Sequence, residues 1–215
     1  MNKLILAFCL LMISSIFTFA QTDYKKYETY IGFSNNQIDT GVDSGNSIQS
    51  FFNDRRSFNG FEAAGVYNFS RYVGAKADFS GTYRRQSVNS TFNTGTGTAT
   101  FNSESNRSAY NVLGGVQIKD NSSDARIKPF AHGLVGVGHQ RINLRNTTCS
   151  GAVTVCPSSF VSGSDTGFSG AFGGGLDVKV SDKVDIRAVQ VDYNPVWLSG
   201  ARQDNVRFGI GLVIK

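Results

Sequence analysis

The chain has 215 residues, a formal net charge of +5, 24 glycines, 3 prolines and 12% aromatic residues. No Lys/Arg run exceeds two residues, so the weak positive balance gives no reason to expect a nucleic-acid partner. Beyond residue 20 no apolar run approaches the ~20 residues of a spanning helix, which excludes a helical membrane protein.

The chain opens with one early cation, Lys3, an apolar core from Leu4 to Phe19, and the small residues Thr18 and Ala20. That pattern is a secretory signal, with cleavage expected after Ala20. An uncleaved anchor is the alternative, although the apolar core is short for a span. Cleavage would discard Cys9, leave residues 21–215 as one domain, and remove Lys3 to give a net charge of +4.

Strand-like alternation begins at Tyr27–Ser34, with Tyr27, Thr29, Ile31 and Phe33 on one face. A polar stretch from Asn35 to Ser57 reads as a long loop. The second strand, Phe58–Phe69, sets Phe61, Ala63, Tyr67 and Phe69 against Glu62, Ala64 and Asn68. Ser70 and Arg71 turn the chain into a third strand from Val73, where Phe79 and Tyr83 oppose Lys76, Asp78 and Arg84. Gln86–Arg107 is rich in Ser, Thr, Asn and Gly and reads as a second long loop.

The fourth strand is Ser108–Lys119. The fifth, Ile127–Arg141, starts near Pro129, which has no N–H for a ladder. A third loop, Ile142–Thr166, carries Cys149 and Cys156, read in an exported protein as a local disulfide. Strand six is Gly167–Val180 and strand seven Val184–Leu198. In strand seven Asp185 and Arg187 share one parity while Gln190 and Asp192 share the other. A bulge at Ala188–Val189 would place all four on one face. Asp204–Lys215 is the last strand, with Val206, Phe208, Ile210, Leu212 and Ile214 in an apolar row.

Eight such strands, near the ~9–11 residues that cross a bilayer at a tilt, predict an all-β, eight-stranded antiparallel up-and-down transmembrane β-barrel. Connections that alternate in length predict short periplasmic turns and long outer loops. The first strand is expected to pair with the last, which removes the sheet edges. Aromatics near strand ends (Tyr27, Tyr67, Phe69, Tyr72, Tyr83, Tyr110, Tyr193 and Trp197) would form interfacial girdles. A soluble barrel with the apolar rows inside is the structural rival.

The segments GFEAAGVYNFSRYVGAKADFSGTY, RIKPFAHGLVGVGHQR and GFSGAFGGGLDVKVSDKVDIRAVQVDY resemble the OmpA/Opa-like family of small, porin-like outer-membrane β-barrel domains. The end resembles that family's carboxy-terminal assembly signal, carried here by Arg207, Gly209, Leu212 and Ile214, and departs from it in ending on Lys215. The resemblance implies an outer-membrane location in a Gram-negative-type bacterium, insertion by the barrel-assembly machinery, and the lipid bilayer as principal partner. It leaves any extracellular partner unspecified.

Residues on the polar faces predict a barrel-interior network of Glu62, Lys76, Asp78, Arg84, Arg187, Gln190, Asp192 and Arg207. Asn111, Gln117, Asp177, Lys179, Asp185 and Asn205 belong to the same face. Opposite charges in so narrow an interior should pair, because an unpaired buried charge costs several kcal/mol. The expected role is a monomeric structural and surface-display barrel; the alternative is a narrow channel for ions or small solutes. No enzyme, cofactor or metal is expected. His132 and His139 have opposite parity and cannot share a metal. The arrangement His132-Gly133-Leu134 lacks the His-x-Ser of lipid-modifying barrels, leaving only a spatially assembled triad with Asp192 or Asp78. The Gly-Leu-Val-Gly-Val-Gly string from Gly133 falls within a strand and opens no helix, so it marks no nucleotide site.

Overall fold

The computed structural model describes residues 24–41, 53–93, 95, 97–122, 125–152 and 162–215. The expected leader and cleavage site, and Cys156, lie outside them. Eight strands follow one another: β1 Tyr27–Asp39, β2 Arg55–Asn68, β3 Val73–Asn93, β4 Thr98–Lys119, β5 Ile127–Gly151, β6 Gly163–Lys179, β7 Val184–Leu198 and β8 Ala201–Ile214. Each pairs antiparallel with its neighbours, and β1 pairs β8 from Thr29↔Ile214 to Gln37↔Val206, closing the barrel.

The alternation has one meaning all round the ring. Ile31, Phe79, Val112, Val135, Phe172, Ile210 and Leu212 are exposed, whereas Glu62, Lys76, Asp78, Asn111, Asp192 and Arg207 are buried. A soluble barrel would have these faces reversed. The apolar outer wall is bounded by two aromatic belts, as expected of a barrel in a bilayer. One, at the short-turn end, holds Tyr27, Tyr67 and Phe69, with adjacent ring centroids 5.3 and 5.4 Å apart. The other holds Tyr83 against Tyr110 at 5.6 Å and Phe168 against Trp197 at 5.3 Å.

The long connections differ from expectation. Gln86–Arg107 is mostly a hairpin: β3 and β4 stay paired from Arg84↔Arg107 out to Asn93↔Thr98. Likewise β5 runs to Gly151 with β6 resuming at Gly163, and β1 reaches Asp39 with β2 starting at Arg55. Beyond the belt water lies on both faces of a strand, so no apolar row is required. The ladder and small polar side chains, such as Thr91 beside Thr100 at 3.5 Å, hold the extension. Periodicity cannot announce a strand of that kind.

β7 carries its expected bulge. The register with β8 shifts between Arg187 and Gln190, and the register with β6 shifts at the same place. Asp185, Arg187, Gln190 and Asp192 consequently all point inward and are at most 1% exposed.

At the short-turn rim Arg71 donates from Nε and Nη2 to the two Asp120 oxygens at 2.8 and 2.9 Å. The hydrogen bonds from Arg71 hold the Asp120 carboxyl well below the usual carboxylate range. A depressed folded-state pKa adds stability that is present above the unfolded value of about 3.9 and is lost as pH falls through the folded one. Both side chains are about one-third exposed (34% and 33%), so solvent screening keeps the contribution to roughly 1 kcal/mol or less. Asp120→Asn is therefore expected to lower stability slightly at neutral pH, with the deficit shrinking below about pH 4. Urea unfolding in vesicles, followed by the single tryptophan, checks this; a deficit independent of pH would contradict it.

Candidate functional site

The site that the strands build together is the barrel interior. Eight strands leave a lumen just wide enough for side chains to fill. Nearest the short turns, Lys128 and Lys215 converge on Asp185. Lys119 bridges Glu28 and Asp177. Arg187 then grips Asp177 in a fork, from Nε at 2.8 Å and Nη2 at 3.2 Å, and donates to Gln190 at 2.7 Å. Its guanidinium lies between the rings of Tyr30 and Phe130, 4.2 and 4.0 Å from their centroids. That sandwich suits a planar, weakly hydrated cation far better than an ammonium.

Gln190 passes the network upward, donating at 2.8 Å to both Glu62 and Asp192. Arg207 is the hub of the next layer. It reaches Asp78 at 2.8 Å, Asp192 at 2.7 and 3.0 Å, and Ser80 at 3.2 Å, with Glu62 at 3.6 Å. Lys76 completes the layer, 3.4 Å from Asp78 and 3.8 Å from Glu62. Counting Lys215, six carboxylates (Glu28, Glu62, Asp78, Asp177, Asp185 and Asp192) meet six cations (Lys76, Lys119, Lys128, Arg187, Arg207 and Lys215). Pairing at this density meets the desolvation cost that single buried charges would impose.

Above the charges come neutral polar groups. Ser169 donates to Asn111, and Asn194 donates to the Gly170 carbonyl at 2.5 Å. Towards the long hairpins Ile38, Phe58 and Ala109 form a buried apolar cluster, and Ile38 and Phe58 border a recess also lined by Arg56, Arg107, Gln140 and Gln203. The interior is thus filled by paired charges, with neutral polar groups and a small apolar cluster towards the long hairpins.

Seven of the eight residues expected in the network meet there: Glu62, Lys76, Asp78, Arg187, Gln190, Asp192 and Arg207. Arg84 does not. It faces inward by parity but lies nearer the long hairpins, donating from Nη1 to the Ser57 carbonyl at 3.1 Å. Lys179 also leaves the interior, because it is close enough to the rim to pair with Asp182 at 2.7 Å. Glu28, Lys119 and Lys128 are members that lay at strand ends, where parity is weakest as a guide. Tyr30, on the inward face of β1, fills the space beside Gly32, Gly209 and Gly211.

His132 is inward and His139 outward. Nδ1 of His132 lies 3.3 Å from the Lys76 ammonium and Nε2 lies 2.9 Å from Asp192. An ammonium can only donate, so Nδ1 accepts and the proton sits on Nε2. The ring is buried, with the Lys76 ammonium beside one nitrogen and an Asp192 oxygen beside the other. Of the cysteine pair, Cys149 lies on β5 opposite Phe101, and Cys156 is outside the described residues. Of the assembly-signal residues, Arg207 and Gly209 face the lumen, while Leu212 and Ile214 face outward on β8 at the seam with β1. Among the described residues no group of His, Cys, Asp and Glu is arranged to hold a metal.

The model of the "Outer membrane protein beta-barrel domain" family matches residues 6–213. No curated protein sequence matches the chain. Among solved structures, the Ail attachment invasion locus protein of Yersinia pestis is similar at 18% identity and a TM-score of 0.51, over 88% of this chain and 100% of that one. Neisserial surface protein A is similar at 9% identity and a TM-score of 0.54, over 90% and 99%. Identities this low bear on the fold alone.

Proposed function

The chain belongs to the outer-membrane protein β-barrel family, and from that premise we propose that it is a structural and surface-display barrel with a closed lumen. The observation that carries this reading is the plug, six carboxylates paired with six cations in the buried interior. Ions crossing it would have to break several buried pairs at once. The hairpins raised beyond the upper belt give such a barrel its exposed surface. The same reading takes the protein as a monomer exported by cleavage after Ala20 and inserted by the barrel-assembly machinery. It also takes the third hairpin as stiffened by a Cys149–Cys156 bridge.

Planar-bilayer recording tests it. Purified, heat-modifiable protein is expected to give no resolved conductance steps above the background of the bilayer. Reproducible steps that change with Arg187→Ala or Asp78→Ala would instead favour the narrow channel, since both residues stand in the plug.

A further inference from the structure

We propose that the outward face of β3, β4 and β5, immediately beyond the upper aromatic belt, binds the phosphate-bearing headgroup of an outer-leaflet lipid. On this face each strand changes character at the same height. β3 runs Phe79, Gly81, Tyr83, Arg85; β4 runs Val112, Tyr110, Ser108, Asn106; β5 runs Val135, Val137, His139, Arg141. The register aligns them in rows: Tyr110 pairs with His139, then Tyr83 with Ser108 and Ser108 with Arg141, then Arg85 with Asn106. Residues far apart in the chain therefore gather in one place. They line a recess of about 500 Å³ that includes Tyr83, Arg85, Tyr110, His139 and Arg141 from the outward face, together with Arg84 and Arg107, whose parity is inward.

These cations are held but not neutralised. Arg85 Nε donates to the Asn106 side-chain oxygen at 3.0 Å, and Arg141 Nε to that of Asn143 at 3.3 Å. Among the described residues neither makes an ion pair, and both are exposed. The acid on the same face of β4, Glu104, stands one row farther out, opposite Arg145, and accepts from Asn146 at 3.2 Å. Asn partners fix the guanidinium planes while leaving the terminal nitrogens for a ligand. Arginine forks match phosphate oxygens geometrically, and tyrosines settle at headgroup depth. Most of its lining residues, Tyr83, Arg85, Tyr110, His139 and Arg141 among them, stand on the outward face at and just beyond the belt, where headgroups lie, which favours a lipid over a dissolved anion.

The test uses the full barrel in phosphatidylcholine vesicles with or without diphosphoryl lipid A, reading lipid A affinity and thermal unfolding. Lipid A is expected to bind and to raise the unfolding temperature. Arg85→Gln/Arg141→Gln should weaken binding about tenfold or more, the loss of one charge-assisted bond being worth that much. The same variant should keep its compact unheated band and its unfolding temperature in pure phosphatidylcholine. Unchanged lipid A affinity in the variant would overturn the proposal. So would an equal rise with inorganic phosphate alone, which would make the recess a site for free anions. If the double variant fails to give the compact band, Arg141→Gln alone carries the test, with the same two outcomes.

Discussion

Replacing Arg207 by methionine is expected to lower the unfolding free energy by about 3–5 kcal/mol, the usual consequence of stranding a buried charge. Arg207 is 0% exposed, and its guanidinium is shared by Asp78 and Asp192 with Glu62 close by. Methionine fills much of the volume but leaves those carboxylates facing one another across a low-dielectric lumen. The measurement is the urea midpoint of vesicle-embedded protein, with compact and unfolded bands counted on unheated gels. Adding Asp192→Asn to Arg207→Met should recover part of the loss, because it removes one of the stranded charges. An unchanged midpoint in the single variant would mean that the plug is held by packing and not by ion pairs. Charge at this position also decides specificity, since methionine cannot choose among Asp78, Asp192 and Glu62.

Gly211→Val is expected to prevent closure of the ring. A Cβ at Gly211 would lie 2.4 Å from the Ile31 carbonyl oxygen and 2.5 Å from the Gly32 Cα, both backbone atoms of the partner strand. It would also crowd the Tyr30 ring, at 2.9 Å, beneath Arg187. Because β1 and β8 form the seam, neither can retreat without parting the ladder. Overpacking in a core that can relax costs about 1–3 kcal/mol, and the seam offers less relief than that. The readout is loss of the compact, heat-modifiable band after refolding. Gly65→Val is the matched control: its Cβ would meet nothing within 4 Å, so it should fold normally. Equal folding of the two variants would mean that the seam tolerates a gap.

The strands that cross the bilayer were legible because lipid outside and charge inside impose opposite demands on alternate residues. Even the β7 bulge followed from that rule, since only a slip at Ala188–Val189 puts Asp185, Arg187, Gln190 and Asp192 on one side. The hairpin of β3 and β4 beyond Arg85 was not legible. Its residues face water on both sides, and their Ser, Thr and Asn content is the same in a loop or a ladder. Glu28, Lys119 and Lys128 escaped for a related reason: at a strand end, parity does not tell a rim charge from one drawn into the lumen. Lys179 shows the converse, a lumen-parity residue captured by Asp182 at the turn.

By itself, the sequence determined the number of membrane-crossing strands, their up-and-down order, the closure of first on last, and the face on which most charges lie. Those are consequences of local alternation and of the rule that a bilayer tolerates no open sheet edge. Tertiary structure alone decided which charges pair, because Arg207 meets Asp78 and Arg187 meets Tyr30 only once the ring is closed and staggered. It alone brought Ile38, Phe58 and Ala109 together in one buried apolar cluster. It alone drew Arg85 and Arg141, 56 positions apart in the chain, to neighbouring rows of one lipid-facing recess. Register across strands is a property of the whole barrel, and no single strand carries it.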